Sequence, residues 1–371
     1  MVKLMSVELR PGDRIGNYRL EAELGPTGSG VLLHGRHLVL PRQAIIKVVH
    51  PAFAAFQSYA LQTLREACIL EAISHPGVPI VYESGVLRDR RPWFAFELIG
   101  GPTLDELLLP GAITLLEVAG LLRDLSDILA HAHRRGVIHR GLRPDRIVIT
   151  SERRFALCIP DWSEAIAHDA ATDTLPASPD GTGSYRAPEL VNQLAGSAHE
   201  LVDDRADMFS LGVIGYRALT GELPFAAPGD DAPHVPALDL RPDAPRELAA
   251  IVDALLAYDR FDRPSASEVR ADLDWLFDSL PDLRARPTLR DGQLARARTE
   301  TEPRVAAVQA RADGTGPVTG VADRDEPAAP RGELMVLGQP RLRRPRWTPD
   351  VSYLEATHVD IQVPEDDLTK E

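Results

Sequence analysis

His139-Arg140-Gly141-Leu142-Arg143-Pro144-Asp145-Arg146 is the stretch around which the rest of this 371-residue chain falls into order. Downstream of it come Asp161-Trp162-Ser163, then Gly181-Thr182-Gly183-Ser184-Tyr185-Arg186-Ala187-Pro188-Glu189. Asp207-Met208-Phe209-Ser210-Leu211-Gly212-Val213 and Arg263-Pro264 follow. Upstream lie Leu24-Gly25-Pro26-Thr27-Gly28-Ser29-Gly30 and Ala44-Ile45-Ile46-Lys47. Each stretch alone is a modest signal; their order and spacing carry the information.

Outward from these motifs, the first hundred residues read as strands broken by one helix. Residues 18–24, 31–37, 44–50, 78–86 and 93–98 are short, β-branched or aromatic, and bounded by Gly, Pro or Arg/Asp turns, which predicts strands. Between them, residues 56–73 carry Leu61, Leu64, Ala67, Cys68, Leu70 and Ile73 at helical spacing. From Leu104 onward helices dominate: 115–135, 208–219, 246–258 and 267–280 are amphipathic, the last with Ser267 as its N-cap. A small β-rich lobe followed by a larger helical one is an α+β arrangement, and the crevice between such lobes favours a ligand.

Of 41 basic residues only three are lysines, Lys3, Lys47 and Lys370. Lys47 sits in an otherwise apolar strand. A buried ammonium is costly unless paired, so it calls for an anionic partner, and Glu66 in Arg65-Glu66-Ala67 of the following helix is the candidate. The glycines of residues 24–30 would let a hairpin lie close over phosphates and offer backbone N–H groups to them; an ordinary glycine-rich turn has the same composition.

Composition removes several classes of function. With 44% hydrophobic and 26% charged residues the chain matches an average globular protein. A net charge of −14 repels phosphate backbones and anionic lipid, which argues against nucleic acid as a partner. No stretch approaches the ~18 apolar residues of a membrane helix, so no membrane insertion is expected. Cys68 and Cys158 are too few for a disulfide framework, and a cytoplasmic setting is expected. Residues 1–17 read as an N-terminal extension. After Pro281 the texture changes: 281–333 is poor in large apolar residues and is expected to be a disordered linker. Order-forming residues return in 334–371, among them Trp347, Tyr353 and Ile361, a candidate docking segment. Arg341, Arg343, Arg344 and Arg346 beside Trp347 make a local basic cluster.

Over residues 18–280 the motifs resemble those of the eukaryotic-like (Hanks-type) Ser/Thr protein kinases of bacteria. The resemblance implies a bilobal fold, with an N-lobe over 18–98 and a C-lobe over 102–280. It also implies ATP and Mg2+ as ligands. Lys47 would hold phosphates and pair with Glu66; Asp161 would carry the metal ion. Gly25, Thr27, Gly28 and Gly30 would form the phosphate loop, and Phe96, Glu97 and Leu98 the adenine pocket and hinge. Arg140 would pair with a phosphate or acidic group of the activation segment, where Thr172, Thr174, Ser178, Thr182 and Ser184 are candidate acceptors. Glu189 and Arg263 would form a structural ion pair, and Asp207 would cap the backbone of the loop that begins at His139.

The departures from the family pattern bear on function. Gly141 stands where the catalytic aspartate is expected, Arg146 where the metal-binding asparagine is expected, and Arg143 in place of the loop lysine. Trp162 and Ser163 replace the aromatic and the glycine after Asp161, and Thr27 replaces a loop glycine. Asp145, the nearest carboxylate, falls at the variable position. This pattern implies a pseudokinase that binds ATP with at most one Mg2+ and acts by presenting its surface to a protein partner, an active Ser/Thr kinase or its substrates. A weakly active kinase with an unusual base is the competing reading. Arg146 would either substitute for the second metal ion or pair with Asp161 and close the site.

Overall fold

A computed structural model describes residues 8–279 apart from 29, 54–56, 109–112, 152, 154, 168–181, 196–201 and 230. The expected linker and docking segment, the basic cluster beside Trp347, the first seven residues of the extension, and Thr172, Thr174 and Ser178 lie outside these residues, as does the side chain of Thr182.

The N-terminal part is a six-stranded antiparallel sheet of order β1-β2-β3-β4-β6-β5, built from β1 (Arg14–Ile15), β2 (Tyr18–Pro26), β3 (Gly30–His37), β4 (Gln43–Val49), β5 (Val81–Val86) and β6 (Pro92–Glu97). Helix α1 (Gln57–Ile73) packs on one face. Period-two alternation along β4 sorts its side chains. Ala44, Ile46 and Val48 join Tyr18, Leu20, Leu33 and Trp93 in one cluster, while Ile45 joins Phe94, Phe96 and the α1 residues in the other. Lys47 shares the parity of Ile45 and therefore faces α1. Strand β5 begins at Val81, three residues later than the spacing predicts, because 78–80 form an irregular lead-in.

The helical part follows: α2 (Leu104–Leu107), α3 (Leu115–His133), α4 (Pro188–Leu194), α5 (Arg205–Thr220), α6 (Ala237–Leu240), α7 (Arg246–Leu255) and α8 (Ala266–Ser279). Short strands β7 (Val137–Ile138) with β10 (Ile166–Ala167), and β8 (Val148–Ile149) with β9 (Leu157–Cys158), make two small antiparallel pairs around the loop 139–146. Helix α3 is fixed at its start by a capping box, Thr114 with Glu117, and packs between α5 and α8. For α8 the cap is not Ser267, which lies inside the first turn. Ser265 fills the role: its hydroxyl accepts the Glu268 N–H at 3.3 Å while Glu268 Oε2 accepts the Ser265 N–H at 2.7 Å. Helix α1 also departs from expectation, since Leu61, Leu64 and Cys68 are exposed. Its inward face carries Thr63 and Glu66 with Ala67, Ile69, Leu70 and Ile73.

Two of the pairings implied by the resemblance, Glu189 with Arg263 and Asp207 with the loop backbone, are present. Arg263, 1% exposed, donates Nη1 and Nη2 to the two Glu189 carboxylate oxygens at 2.7 and 3.0 Å. Asp207 accepts the backbone N–H groups of His139 at 2.8 Å and Arg140 at 2.7 Å, together with His133 Nε2 at 2.8 Å. Arg140, at φ 60°, is a non-glycine residue in the left-handed region, and these bonds hold it there.

A less expected cluster joins the lobes behind the cleft. The rings of His75 and His131 are 5.0 Å apart, and His75 Nε2 approaches Asp127 at 3.3 Å. Burial first, then Arg135 and His75, hold His131 down to about 4. A histidine whose folded value lies below its unfolded one (~6.5) lets the unfolded chain take up more protons, so stability falls as pH drops from about 6.5 to about 4. Solvent reaches part of the His131 ring and screens the effect, so thermal melts should show a loss held below about 1 kcal/mol between about pH 7.5 and pH 5, and His131→Gln should flatten that slope. An unchanged slope in the variant would remove His131 as its source.

Candidate functional site

The site grows from β4 and α1. Lys47 Nζ lies 2.6 Å from Glu66 Oε2, both side chains 4% exposed, so the expected pair is formed. Burial pushes the Glu66 carboxyl up, with Lys47 and the Trp162 backbone N–H pulling against it. Gln62 donates to the Ser163 carbonyl at 2.9 Å, a second tie between α1 and the Asp161 motif. Trp162 is fully buried, donates its indole N–H to the Ile159 carbonyl at 2.8 Å, and lies 4.5 Å from the His139 ring. Its bulk locks the motif to the loop behind it.

Across the cleft, the loop lacking a carboxylate at 141 is filled by others. A Cβ at Gly141 would lie 2.5 Å from Arg146 Nη1 and 2.9 Å from the Glu164 carboxyl carbon. Arg146, whose side chain is 12% exposed, places Nε 3.1 Å from Asp161 Oδ2 and Nη2 2.8 Å from Glu164 Oε1, and donates Nη1 to the Gly141 carbonyl at 3.3 Å. Arg186 takes the other Glu164 oxygen at 2.9 Å. Burial alone would raise the Asp161 carboxyl; Arg146, Lys47 and the hydrogen bonds of Ser163 outweigh it and hold the group well below the usual carboxylate range. Asp161 is therefore ionised and already carries a cation. The pairing of Arg146 with Asp161 expected from the sequence is formed.

The remaining candidates divide. Arg143 lies 2.9 Å from Asp145, so the carboxylate nearest in sequence is tied to a neighbouring arginine, and Glu164 is the one the fold brings next to position 141. Arg140 is buried and donates Nε–H to the Glu164 carbonyl at 2.8 Å, while most of the activation segment it was expected to meet, 168–181, lies outside the described residues. In the β2–β3 turn the Thr27 N–H donates to the Gly30 carbonyl at 2.7 Å and the Gly30 N–H to Thr27 Oγ1 at 2.9 Å, so two of the turn's donors are used within it. A Cβ at Gly25 (φ +144°) or Gly28 would meet nothing within 4 Å, which leaves room for close approach there. Phe96 and Leu98 are buried in the core cluster, and the Glu97 carboxylate is held by Arg153 at 3.2 Å and by the Ile80 N–H at 3.2 Å.

Glu164 and Arg186 were not singled out from sequence. Charge accounting points to Glu164, since residues 139–146 hold three arginines and one aspartate and buried guanidinium groups need anions nearby; Arg186 carries no such signal.

A nucleotide fits the donors present: a paired lysine at 47 and an open glycine turn at 25 and 28. A divalent metal ion does not, because the carboxylate that would hold it is taken by a guanidinium. Among the described residues no group of three or more His, Cys, Asp or Glu side chains is arranged to hold a metal ion.

Residues 18–275 match the family described as the protein kinase domain. The chain belongs to the protein kinase family. Among curated relatives, the Serine/threonine-protein kinase PknJ of Mycobacterium tuberculosis is 30% identical over 263 residues, 68% of this chain and 43% of that protein. PknB of Mycobacterium tuberculosis is 30% identical over 279 residues, 71% of this chain and 43% of the relative. The chain thus spans less than half the length of these two Ser/Thr kinase relatives. A crystal structure of the Mycobacterium tuberculosis PknI kinase domain shares the fold, with a TM-score of 0.55 at 24% identity, covering 72% of this chain and 99% of that one. No helix of the described residues is long and apolar enough to cross a membrane.

Proposed function

We propose that this protein is a pseudokinase: a cytoplasmic member of the kinase family that binds ATP and acts as a regulatory or scaffolding partner of an active Ser/Thr kinase or of its substrates. One observation carries the reading. The place of a carboxylate at residue 141 is filled by Arg146 and Glu164, whose charges are spent on Asp161 and Arg186. A positioned base contributes ~10²–10⁴-fold, and phosphoryl transfer depends on charge placed around the reacting group. Lacking both, the cleft would grip a nucleotide without passing on its phosphate. The intact Lys47–Glu66 pair supports nucleotide binding. ATP at ~100 times its dissociation constant should stabilise the protein by about 2.7 kcal/mol, read as a rise in melting temperature, and Lys47→Met should abolish that rise. A chain that melts unchanged with ATP in every buffer would end the nucleotide reading.

A second reading, a weakly active kinase, draws on Glu164, whose carboxyl carbon stands 2.9 Å from where a side chain on residue 141 would begin. Against it, each Glu164 oxygen already faces a guanidinium. Phosphate transfer abolished by Glu164→Gln with ATP binding retained would favour it over the pseudokinase.

A further inference from the structure

The cation that the Asp161 carboxylate holds is part of the chain. Arg146 lies 3.1 Å from Asp161 Oδ2 and 2.8 Å from Glu164 Oε1, and among the described residues its Nε–H makes no hydrogen bond although it faces a carboxylate. Lys47 pairs with Glu66, Arg146 with Asp161 and Glu164, and Arg186 with Glu164, so each of these three carboxylates already faces a cation of the chain. A divalent ion bound to Asp161 would have to sit beside a permanent guanidinium charge, or displace it from a site where only 12% of its side chain is exposed. A guanidinium, by contrast, offers several donors and suits phosphate oxygens.

We infer that the cleft takes a nucleoside triphosphate in its metal-free form, with the Arg146 guanidinium in the place of the divalent ion. The inference rests on the reading of the cleft as a nucleotide site and adds which ionic form of the nucleotide is bound. Asp161 then acts as a positioning residue for Arg146 rather than as a metal ligand. Lys47 and Arg146, on opposite sides of the cleft, supply the charge that the phosphates meet.

Titration of the full chain with ATP by calorimetry, once in EDTA and once in excess Mg2+, tests this. The two dissociation constants of the unmodified protein should agree within about threefold, or favour EDTA. Arg146→Asn, which removes the built-in cation and frees Asp161, should bind at least about tenfold more tightly with Mg2+ than with EDTA. Arg146→Lys keeps the charge and should remain indifferent to metal, which guards against a variant that simply fails to fold. Binding by the unmodified protein that weakens about tenfold or more in EDTA overturns the inference and leaves nucleotide binding standing. No binding in either buffer overturns both.

Discussion

Glu189→Ala should destabilise the protein by about 3–5 kcal/mol, the largest stability loss expected of any single change, because it leaves a buried guanidinium without its counter-charge. Arg263 is 1% exposed, and beyond Glu189 its partners are the carbonyls of Ala257 at 2.7 Å, Tyr258 at 2.9 Å and Arg205 at 3.0 Å. Carbonyls satisfy its donors but do not neutralise it, so the cost stays high. The pair ties the start of α4 to the turn before α8, and the Arg205 carbonyl brings in α5. Glu189→Gln keeps the hydrogen-bonding shape without the charge and should fall between alanine and the unmodified protein. Removing both charges together, as Glu189→Leu with Arg263→Met, should cost less than Glu189→Ala alone. Denaturant midpoints measure all of these. A loss below about 1 kcal/mol for Glu189→Ala would show that the pair is not what holds these elements together.

The second large effect concerns chemistry. Gly141→Asp alone should be destabilised and inert, since its Cβ would fall 2.5 Å from Arg146 Nη1 and its carboxylate would crowd Glu164. Gly141→Asp with Arg146→Asn removes the first obstacle and frees Asp161, leaving Glu164 to Arg186 at 2.9 Å. Residue 141 is not among the glycines with positive φ, so the backbone there accepts a side chain. Transfer of the ATP γ-phosphate to a protein hydroxyl should therefore appear in the double variant, at least ~10²-fold above the unmodified protein. Transfer in neither would place the defect elsewhere, with the β2–β3 turn, where Thr27 takes up two of the donors, the next element to restore.

Much of the scaffold was legible because its determinants are local. A lone lysine in an apolar strand and a glutamate on the next helix announced their own pairing, and period-two alternation along β4 brings them together. The helices ended where their polarity changes, within a few residues. Helix α1 is legible as a helix but not in its packing, because leucine spacing does not say which face turns inward. Its inward face is partly polar, since Glu66 must meet Lys47, and Leu61, Leu64 and Cys68 turn to solvent instead. Ser267 misled because Ser265, two residues earlier, has a glutamate three positions on and closes a capping box. The site itself was half readable. Gly141, Arg146 and Asp161 stood out against the family pattern, but their consequence depends on Glu164 and Arg186, which are distant from Arg146 in sequence and meet it only in the folded cleft.

The most direct measurement is a single-turnover assay with labelled ATP and the unmodified full chain in excess, scoring label on protein and ADP formed. ATP should be bound and returned intact, with no label above that of Lys47→Met. Label on a Ser or Thr hydroxyl that is lost in Lys47→Met would contradict it.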